Sequence, residues 1–438
     1  MKAVFATELD DTGRGVGVSE GIRTHVTDLV PGETAEVAIE HASPHKAEAW
    51  ARVVRRVGDA SADRAAPACP AFGRCGGCAW QHVTYDAQLR EKRARVERAL
   101  GRPVSPVRAS PAEHGYRNKG KYVVCAAAGG GLLFGAYAPR THEVVDTTGC
   151  RVVTPAVDEV AMRVRDAAER AGLVAYSEAT HAGELRYVVV REASDGGVLV
   201  ALVTTTTADE AKLERVAAAL GPDAKPPVRG VVWVAHDRRD GVIAPVGASE
   251  RVLRGDAHVT ETFAGVAVDA GAGEFVQVNR AQAAAIYARV AELARPARRA
   301  VDLFSGLGGI ALHLARDGAE VVAVEVDPVA VAALDRAARA AGLPIRALAA
   351  DAGRVDRGEL GDVDVAVVNP PRKGLGERGR AVVGELAAPV VIYVSCGPEA
   401  LGADLAALAA YGYAPDVIEP FDLMPGTAQV EVVVRLRR

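Results

Sequence analysis

From the start of the chain, apolar and polar positions alternate in short runs: K-A-V-F-A-T, G-V-G-V-S, R-T-H-V-T-D-L-V, T-A-E-V-A-I-E and A-W-A-R-V-V-R-R-V. Period-two alternation predicts half-buried strands, and the turn signals Asp11-Thr12-Gly13 and Pro31-Gly32 separate them. Residues 1–60 are therefore expected to close into a small β-barrel of the oligonucleotide-binding kind. The stretch S-A-D-R-A-A-P-A at 61–68 has neither period and is expected to be a linker. Residues 81–100 take up the helical period and carry Arg90, Lys92, Arg93, Arg95 and Arg98, a charge run of the sort that usually marks a solvated face. From there to 270, strands at 187–191, 198–204 and 231–235 mix with helices at 155–171 and 208–220, an α+β pattern spanning 61–270.

After a helix over 281–293 the rhythm changes. Apolar strand-length runs at 300–304, 320–326, 345–349, 363–368 and 390–395 alternate with helical periods at 309–317, 328–341, 378–387 and 399–411. Two strands near 413–420 and 428–436 end the chain. This is the pattern of a doubly wound parallel sheet with an antiparallel hairpin at its end, occupying 271–438. Ligands of such sheets sit beyond the carboxyl ends of the strands, at the point where the strand order reverses.

Composition narrows the setting. The 438 residues are enough for two or three domains, and no apolar run approaches the ~20 residues of a membrane span. The opening M-K-A-V-F-A-T-E-L-D-D turns acidic too early for a signal peptide, so a cytoplasmic protein is expected. Its six cysteines are then not read as disulfides. A net charge of −4 gives no global nucleic-acid signature, so any RNA contact must come from local basic patches.

The chemistry gathers at a few places. In V301-D-L-F-S-G-L-G-G-I-A311 a buried strand runs through a glycine turn into a helix, and Glu325 ends the next strand at the spacing suited to a ribose diol. Gly306, Gly308 and Ala311 also fit the dinucleotide fingerprint, so this motif alone leaves a dehydrogenase open. Asp302, placed to hold an ammonium, favours S-adenosylmethionine. The array C69-x5-C75-x2-C78 in a cytosolic chain indicates a metal or iron–sulfur site whose fourth ligand is Cys150 or Cys125; zinc would accept the same donors. In Y116-R-N-K-G-K-Y122, cations interleave with aromatics as phosphate contacts and base-stacking groups do. Three strand ends carry reactive types: N369-P-P-R-K-G374, S395-C396-G-P398 and P425-G-T-A-Q-V-E431. Cys396 is a candidate nucleophile, with Arg372 as a nearby cation able to lower its pKa, and Glu431 is a candidate base.

These pieces together make the chain resemble the class I, S-adenosylmethionine-dependent RNA (uracil-5-)-methyltransferases, the RumA/TrmA family. It is most similar to the 23S rRNA branch with an N-terminal TRAM barrel and a [4Fe–4S] cluster. The resemblance rests on C69-x5-C75-G-G-C78-x2-Q81, Y116-R-N-K, F275-V-Q-V-N279, D302-L-F-S-G-L-G, N369-P-P-R-K-G, Y393-V-S-C396-G-P and P425-x-T-x-x-V-E431. It implies that Cys69, Cys75, Cys78 and Cys150 hold the cluster, with Cys125 a bystander. It implies Cys396 as nucleophile and Glu431 as base. Gln277, Asp302, Phe304, Ser305, Gly306, Glu325, Asp351 and Asn369 would surround S-adenosylmethionine and the target base. Tyr116, Arg117, Lys119, Lys121 and Arg372 would meet RNA, 23S rRNA first and tRNA as the other option. Three positions depart from the family pattern: Asn369 for Asp, Gly397 for Asn or Asp after the nucleophile, and Gln429 for His two residues before the base. The departures keep a cytosine-C5 or adenine-N6 target, and a weakly catalytic RNA-binding factor, among the alternatives.

Overall fold

Three large sheets follow one another along the chain in a computed structural model that describes residues 2–221, 223–239, 242–243 and 249–438. The first has six strands: Lys2–Phe5, Glu8–Leu9, Gly15–Ser19, Ile22–Thr27, Thr34–Ala42 and Glu48–Val57. Lys2–Phe5 pairs with Thr34–Ala42, and Ile22–Thr27 lies parallel to Glu48–Val57. The sheet curls until its third strand backs onto its first, where Gly17 sits against the Phe5 carbonyl with no room for a side chain. Alternate residues (Val4, Val26, Ala35, Val37, Ala51) fill the inside, as the period-two pattern requires.

The second sheet has seven strands, ordered Ser249–Gly255, Val228–Ala235, Val198–Thr204, Leu185–Glu192, Lys119–Ala126, Leu132–Tyr137 and Val144–Asp146. Helices Pro155–Ala171 and Glu210–Ala219 cover one face, burying Tyr122, Val188 and Val200. The other face carries Tyr187, Val189 and Ala201.

The third sheet is the doubly wound one. Its order is Ile345–Ala349, Glu320–Glu325, Arg299–Leu303, Val365–Val368, Val390–Ser395, Glu431–Arg437, Ala414–Phe421. The first five strands are parallel and the last two form the expected antiparallel end. Strand order reverses between Arg299–Leu303 and Val365–Val368, so the ligand crevice opens above these two. Helices Arg280–Ala294, Gly309–Arg316 and Pro328–Ala340 pack on one face through Ile286, Leu312 and Leu334. Gly376–Leu386 and Pro398–Ala409 cover the other through Val383, Leu401 and Leu408.

One helix crosses from its place in sequence. Tyr85–Leu100, capped by Thr84 and ended by Gly101 in the left-handed region, buries Val96 in the core of the third sheet. Its cations divide: the side chains of Arg90, Arg93 and Arg98 stay exposed, while those of Lys92 and Arg95 turn inward. Lys92 is wholly buried against Asp422 at 2.6 Å, Arg95 meets Asp11 and Glu399, and Arg98 meets Glu8. A charge run with such partners is not legible from the helix alone, because Glu8, Asp11, Glu399 and Asp422 all lie far from it in sequence. No helix among the described residues is long and apolar enough to cross a membrane.

Candidate active site

The crevice starts at the end of Arg299–Leu303. Phe304 takes a left-handed φ of 64° to leave the strand, and Gly308 at 83° turns the chain into Gly309–Arg316. No side chain fits at Gly309, where a Cβ would stand 2.5 Å from the Tyr287 ring. Glu325 props the turn: one carboxylate oxygen accepts from Gly306 N at 3.0 Å, the other from Val326 N and Asp327 N at 2.7 and 3.0 Å. The oxygen that Gly306 N meets keeps a lone pair for a ligand. Ser305 Oγ, shielded from solvent, has no partner.

Asp302 is the anomaly. It is 0% exposed, and neither carboxylate oxygen has a hydrogen-bond partner. Burial pushes its pKa up to about 8; the Ala311 backbone N–H pulls against that and the Glu325 charge adds to it. A lone buried carboxylate is costly unless a cation reaches it, and among the described residues no side-chain cation bonds it. The donor set therefore fits S-adenosylmethionine: a bare carboxylate for an ammonium and a braced glutamate for ribose hydroxyls. Asp351, at the end of the third parallel strand, is exposed and turns its Oδ1 to Gly353 N at 2.9 Å. Gln277 is half-buried.

The reactive pair follows from strand register. Ser395 faces Val432 across the antiparallel pair Val390–Ser395 and Glu431–Arg437, so the next positions, Cys396 and Glu431, are also cross-strand neighbours. Glu431 is buried (7% exposed), and burial pushes its pKa up to about 8 against a pull from Arg372. Burial also raises the Cys396 thiol above its ordinary value, the Glu431 charge raises it further, and Arg372 opposes both. Asn369 is held by its backbone N–H on Leu303 O at 3.2 Å, beside the Asp302 strand. Gly397 gives the N-P-P-R loop its seat: a Cβ there would come within 2.9 Å of the Arg372 carbonyl. An Asn or Asp at 397 would push that loop outward.

Comparison with known proteins adds the family. The model of the methyltransferase small domain matches residues 264–389. A curated but uncharacterised RNA methyltransferase of Halalkalibacterium halodurans is 31% identical over 99% of this chain and 96% of its own. Another, from Nitratidesulfovibrio vulgaris, is 31% identical over 97% of this chain and 93% of its own. Among solved structures, the Pyrococcus abyssi tRNA (uracil-54, C5)-methyltransferase in complex with S-adenosyl-L-homocysteine superposes with a TM-score of 0.79 over the whole of both chains, at 26% identity. The chain belongs to the RNA methyltransferases. The fold and the crevice make it dependent on S-adenosylmethionine.

In this methyltransferase the loop before Glu431 is gripped from several sides. Lys92 Nζ bonds Asp422 and Met424 O, Gly426 N donates to Gln88 Oε1 at 2.7 Å, and Trp80 N donates to Gly426 O at 2.8 Å. Arg95 donates to Ala428 O, and Tyr116 Oη to Pro425 O at 3.0 Å. Sequence reading missed Lys92, Gln88, Asp422 and Tyr287 as site supports. It also missed the job of Asn279, which caps Arg280–Ala294 and ties Ser110 to Leu423 O through its amide; an Asn just before a helical period was the available signal.

The cysteines divide. Cys69, Cys75, Cys78 and Cys150 lie within electrostatic reach of one another: burial pushes the Cys78 thiol up to about 11 and the other three add to it. They are thiol donors of the right chemistry for a thiophilic metal centre. Among the described residues, however, no group of three or more His, Cys, Asp or Glu side chains stands in metal-holding geometry. Cys125 faces elsewhere, into a cavity of the second sheet. The basic segment divides as well. Tyr116 and Lys119 are buried rather than at the surface, and Lys119 Nζ spends its donors on Ala272 O and Glu274 O, at 2.8 and 3.3 Å. Burial pulls Lys119 down to about 6. Of this segment, Lys121 is exposed and Arg117 half-buried; Arg372 is exposed beside Cys396. Tyr116 and Lys119 brace the loops before Glu431 and before Gln277 through these bonds.

Proposed function

We propose that the protein transfers a methyl group from S-adenosylmethionine to carbon 5 of a uridine in RNA, with 23S rRNA as the first substrate to test. The observation that carries this is the cross-strand pairing of Cys396 with Glu431 under Arg372, two strands from the bare Asp302. Bound S-adenosylmethionine supplies an electrophilic methyl on a sulfonium. Carbon 5 of uracil is too weak a nucleophile to take it unaided. In our reading the Cys396 thiolate adds to C6, its electron pair moving through the ring to make C5 nucleophilic; Arg372 supports the thiolate. After C5 gains the methyl, Glu431 removes the C5 proton, and the Sγ–C6 bond breaks to restore the ring. Asp302 would hold the cofactor ammonium, Glu325 the ribose, and Gln277, Phe304, Ser305, Gly306, Asp351 and Asn369 the remaining edges of cofactor and base.

Two supporting parts belong to the same reading. Residues 1–60 would act as a TRAM-like barrel delivering RNA, 61–270 as the cluster-bearing α+β domain and 271–438 as the catalytic domain, in a cytoplasmic enzyme. Cys69, Cys75, Cys78 and Cys150 would hold a [4Fe–4S] cluster. The relative of known structure bears the words tRNA and uracil-54 in its own description, which keeps tRNA as the other substrate.

The test is to incubate purified protein, labelled S-adenosylmethionine and RNA from a strain lacking it, then digest and identify the nucleoside by mass spectrometry. 5-Methyluridine is expected. 5-Methylcytidine or N6-methyladenosine would overturn the base assignment, and no product would leave a binding protein. Anaerobically purified protein should be brown with about four irons; colourless protein with stoichiometric zinc would remove the cluster.

A further inference from the structure

The second sheet carries a cavity that the methyl-transfer chemistry does not use. It measures about 360 Å³, within the range of small-ligand pockets. The strands Lys119–Ala126, Leu132–Tyr137 and Leu185–Glu192 contribute Cys125, Tyr137, Arg186 and Tyr187 to it. The segment 175–182, folded back by the Ser177–Ala182 bridge, contributes Tyr176 and Glu178.

The lining is built rather than incidental. Arg186 is 4% exposed; its guanidinium lies 4.8 Å from the Tyr176 ring centre and 5.7 Å from that of Tyr187, and its Nε has no hydrogen-bond partner. Its Nη1 meets His236 Nδ1 and donates to His236 O, at 3.0 and 3.2 Å, which fixes the guanidinium against the two rings. At the rim, Glu178 is fixed in place: Tyr137 Oη donates to one oxygen at 2.9 Å and His142 Nδ1 meets the other at 2.8 Å. Each oxygen still has a lone pair facing outward chemistry. Flat aromatic faces, a cation over them and an oriented carboxylate together describe a site for a planar ring that carries N–H donors.

We propose that this cavity takes a second unstacked nucleobase of the RNA substrate, a purine with N–H donors for Glu178, guanine presenting two side by side. The proposal rests on the reading of the substrate as RNA. The placement fits a single strand leading away from the catalytic crevice. Strand Lys119–Ala126 starts beside the Val278 carbonyl, which accepts from Asn118 N at 2.9 Å, and ends at the cavity. The seven steps from Asn118 to Cys125 span about 23 Å. Exposed Lys121 sits between, on the same face of the strand as Cys125 by period-two alternation, where it can meet a phosphate. A base held here would fix which nucleotide reaches Cys396, so the cavity would set site choice.

Cys125 makes the cavity readable without turnover. The full-length protein is alkylated with iodoacetamide at alkaline pH and the rate at Cys125 is followed by peptide mass spectrometry. Millimolar guanosine 5′-monophosphate should slow it roughly threefold or more, and Tyr176→Ala should remove the protection while Tyr176→Phe keeps it. Ribose 5-phosphate should not protect. In methyl transfer to RNA, Tyr176→Ala should raise KM about 5- to 150-fold with kcat retained, and Tyr176→Phe should restore it. Equal protection by ribose 5-phosphate, no protection by any nucleoside monophosphate, or an unchanged KM in Tyr176→Ala would each overturn the proposal. If RNA is not methylated at all, the proposed function falls, while the alkylation result still reports on the cavity.

Discussion

Two carboxylates in this molecule are equally buried and opposite in circumstance. Asp422 and Asp302 are both 0% exposed. Asp422 has Lys92 at 2.6 Å and accepts from Met424 N at 3.1 Å. Asp302 has nothing. The first is a charge the chain answers for itself, and it clamps the Glu431 loop to the helix Tyr85–Leu100. The second is a charge the chain leaves for something else to answer, at the mouth of the switch point. Where a buried ion has its counter-ion built in, the group serves the fold; where the counter-ion is missing, it marks the ligand. Glu431 stands between these cases, buried like both, with Arg372 near enough to temper it.

The sharpest test of that division starts with Glu431. If it is a base rather than a structural carboxylate, Glu431→Gln should leave the melting temperature and S-adenosylhomocysteine affinity near the parent values. Relieving a buried acid can only hold or raise that melting temperature, as at Asp302, while kcat for methyl transfer should fall about 10²- to 10⁴-fold. A melting temperature that falls with the rate would move Glu431 into the class of Asp422.

Lys92→Met comes next. It strands Asp422 as Asp302 is stranded, but with no ligand to relieve it, and should cost about 3–5 kcal/mol in urea unfolding. The double variant Lys92→Met, Asp422→Leu should recover most of the loss, because an apolar pair of similar bulk replaces a buried ion pair with little penalty. Failure of the double variant to recover would mean the pair does more than neutralise itself, since Lys92 also holds Met424 O.

Asp302→Asn should behave in the reverse way. Removing a buried acid that must take up a proton to fold should raise the melting temperature of the ligand-free protein, by about 2–4 °C for each kcal/mol relieved. Calorimetry should show S-adenosylhomocysteine binding weakened about 10- to 150-fold, the worth of a charge-assisted bond. A loss of stability together with unchanged affinity would make Asp302 structural.

Much of this was legible in the sequence. The doubly wound order, its antiparallel end and most helix positions follow from periodicity, because each strand there is an apolar run between turn signals and its neighbours are close in sequence. Cys396 and Glu431 were legible as residues but not as a pair; their meeting depends on the register of two strands about 40 positions apart in the chain. Lys92 was read as solvated because nothing local distinguishes it from Arg90 or Arg93, and its partner comes 330 positions later. Tyr116 and Lys119 were read as surface for the same reason: an aromatic and basic segment looks alike whether it faces RNA or braces two loops. The strands Leu132–Tyr137 and Val144–Asp146, short and at the sheet edge, left too little pattern to find.

The last prediction uses pH alone to separate the two carboxylates. Asp302, with a folded pKa of about 8 against an ordinary value of 3.8, holds a proton in the folded protein that the unfolded chain gives up. Between pH 4 and 8 the native state therefore binds more protons, and ligand-free stability should fall as pH rises through that window. Glu431, raised the same way, contributes with the same sign. Saturating S-adenosylhomocysteine brings a cation to Asp302 and should flatten the slope, leaving the Glu431 share. In Asp302→Asn the slope should already be shallow and the ligand should change it little. Urea unfolding at pH 5, 6, 7 and 8, with and without S-adenosylhomocysteine, reads the difference. A slope that Asp302→Asn leaves untouched would mean another buried acid carries the titration, and the contrast with Asp422 would lose its physical basis.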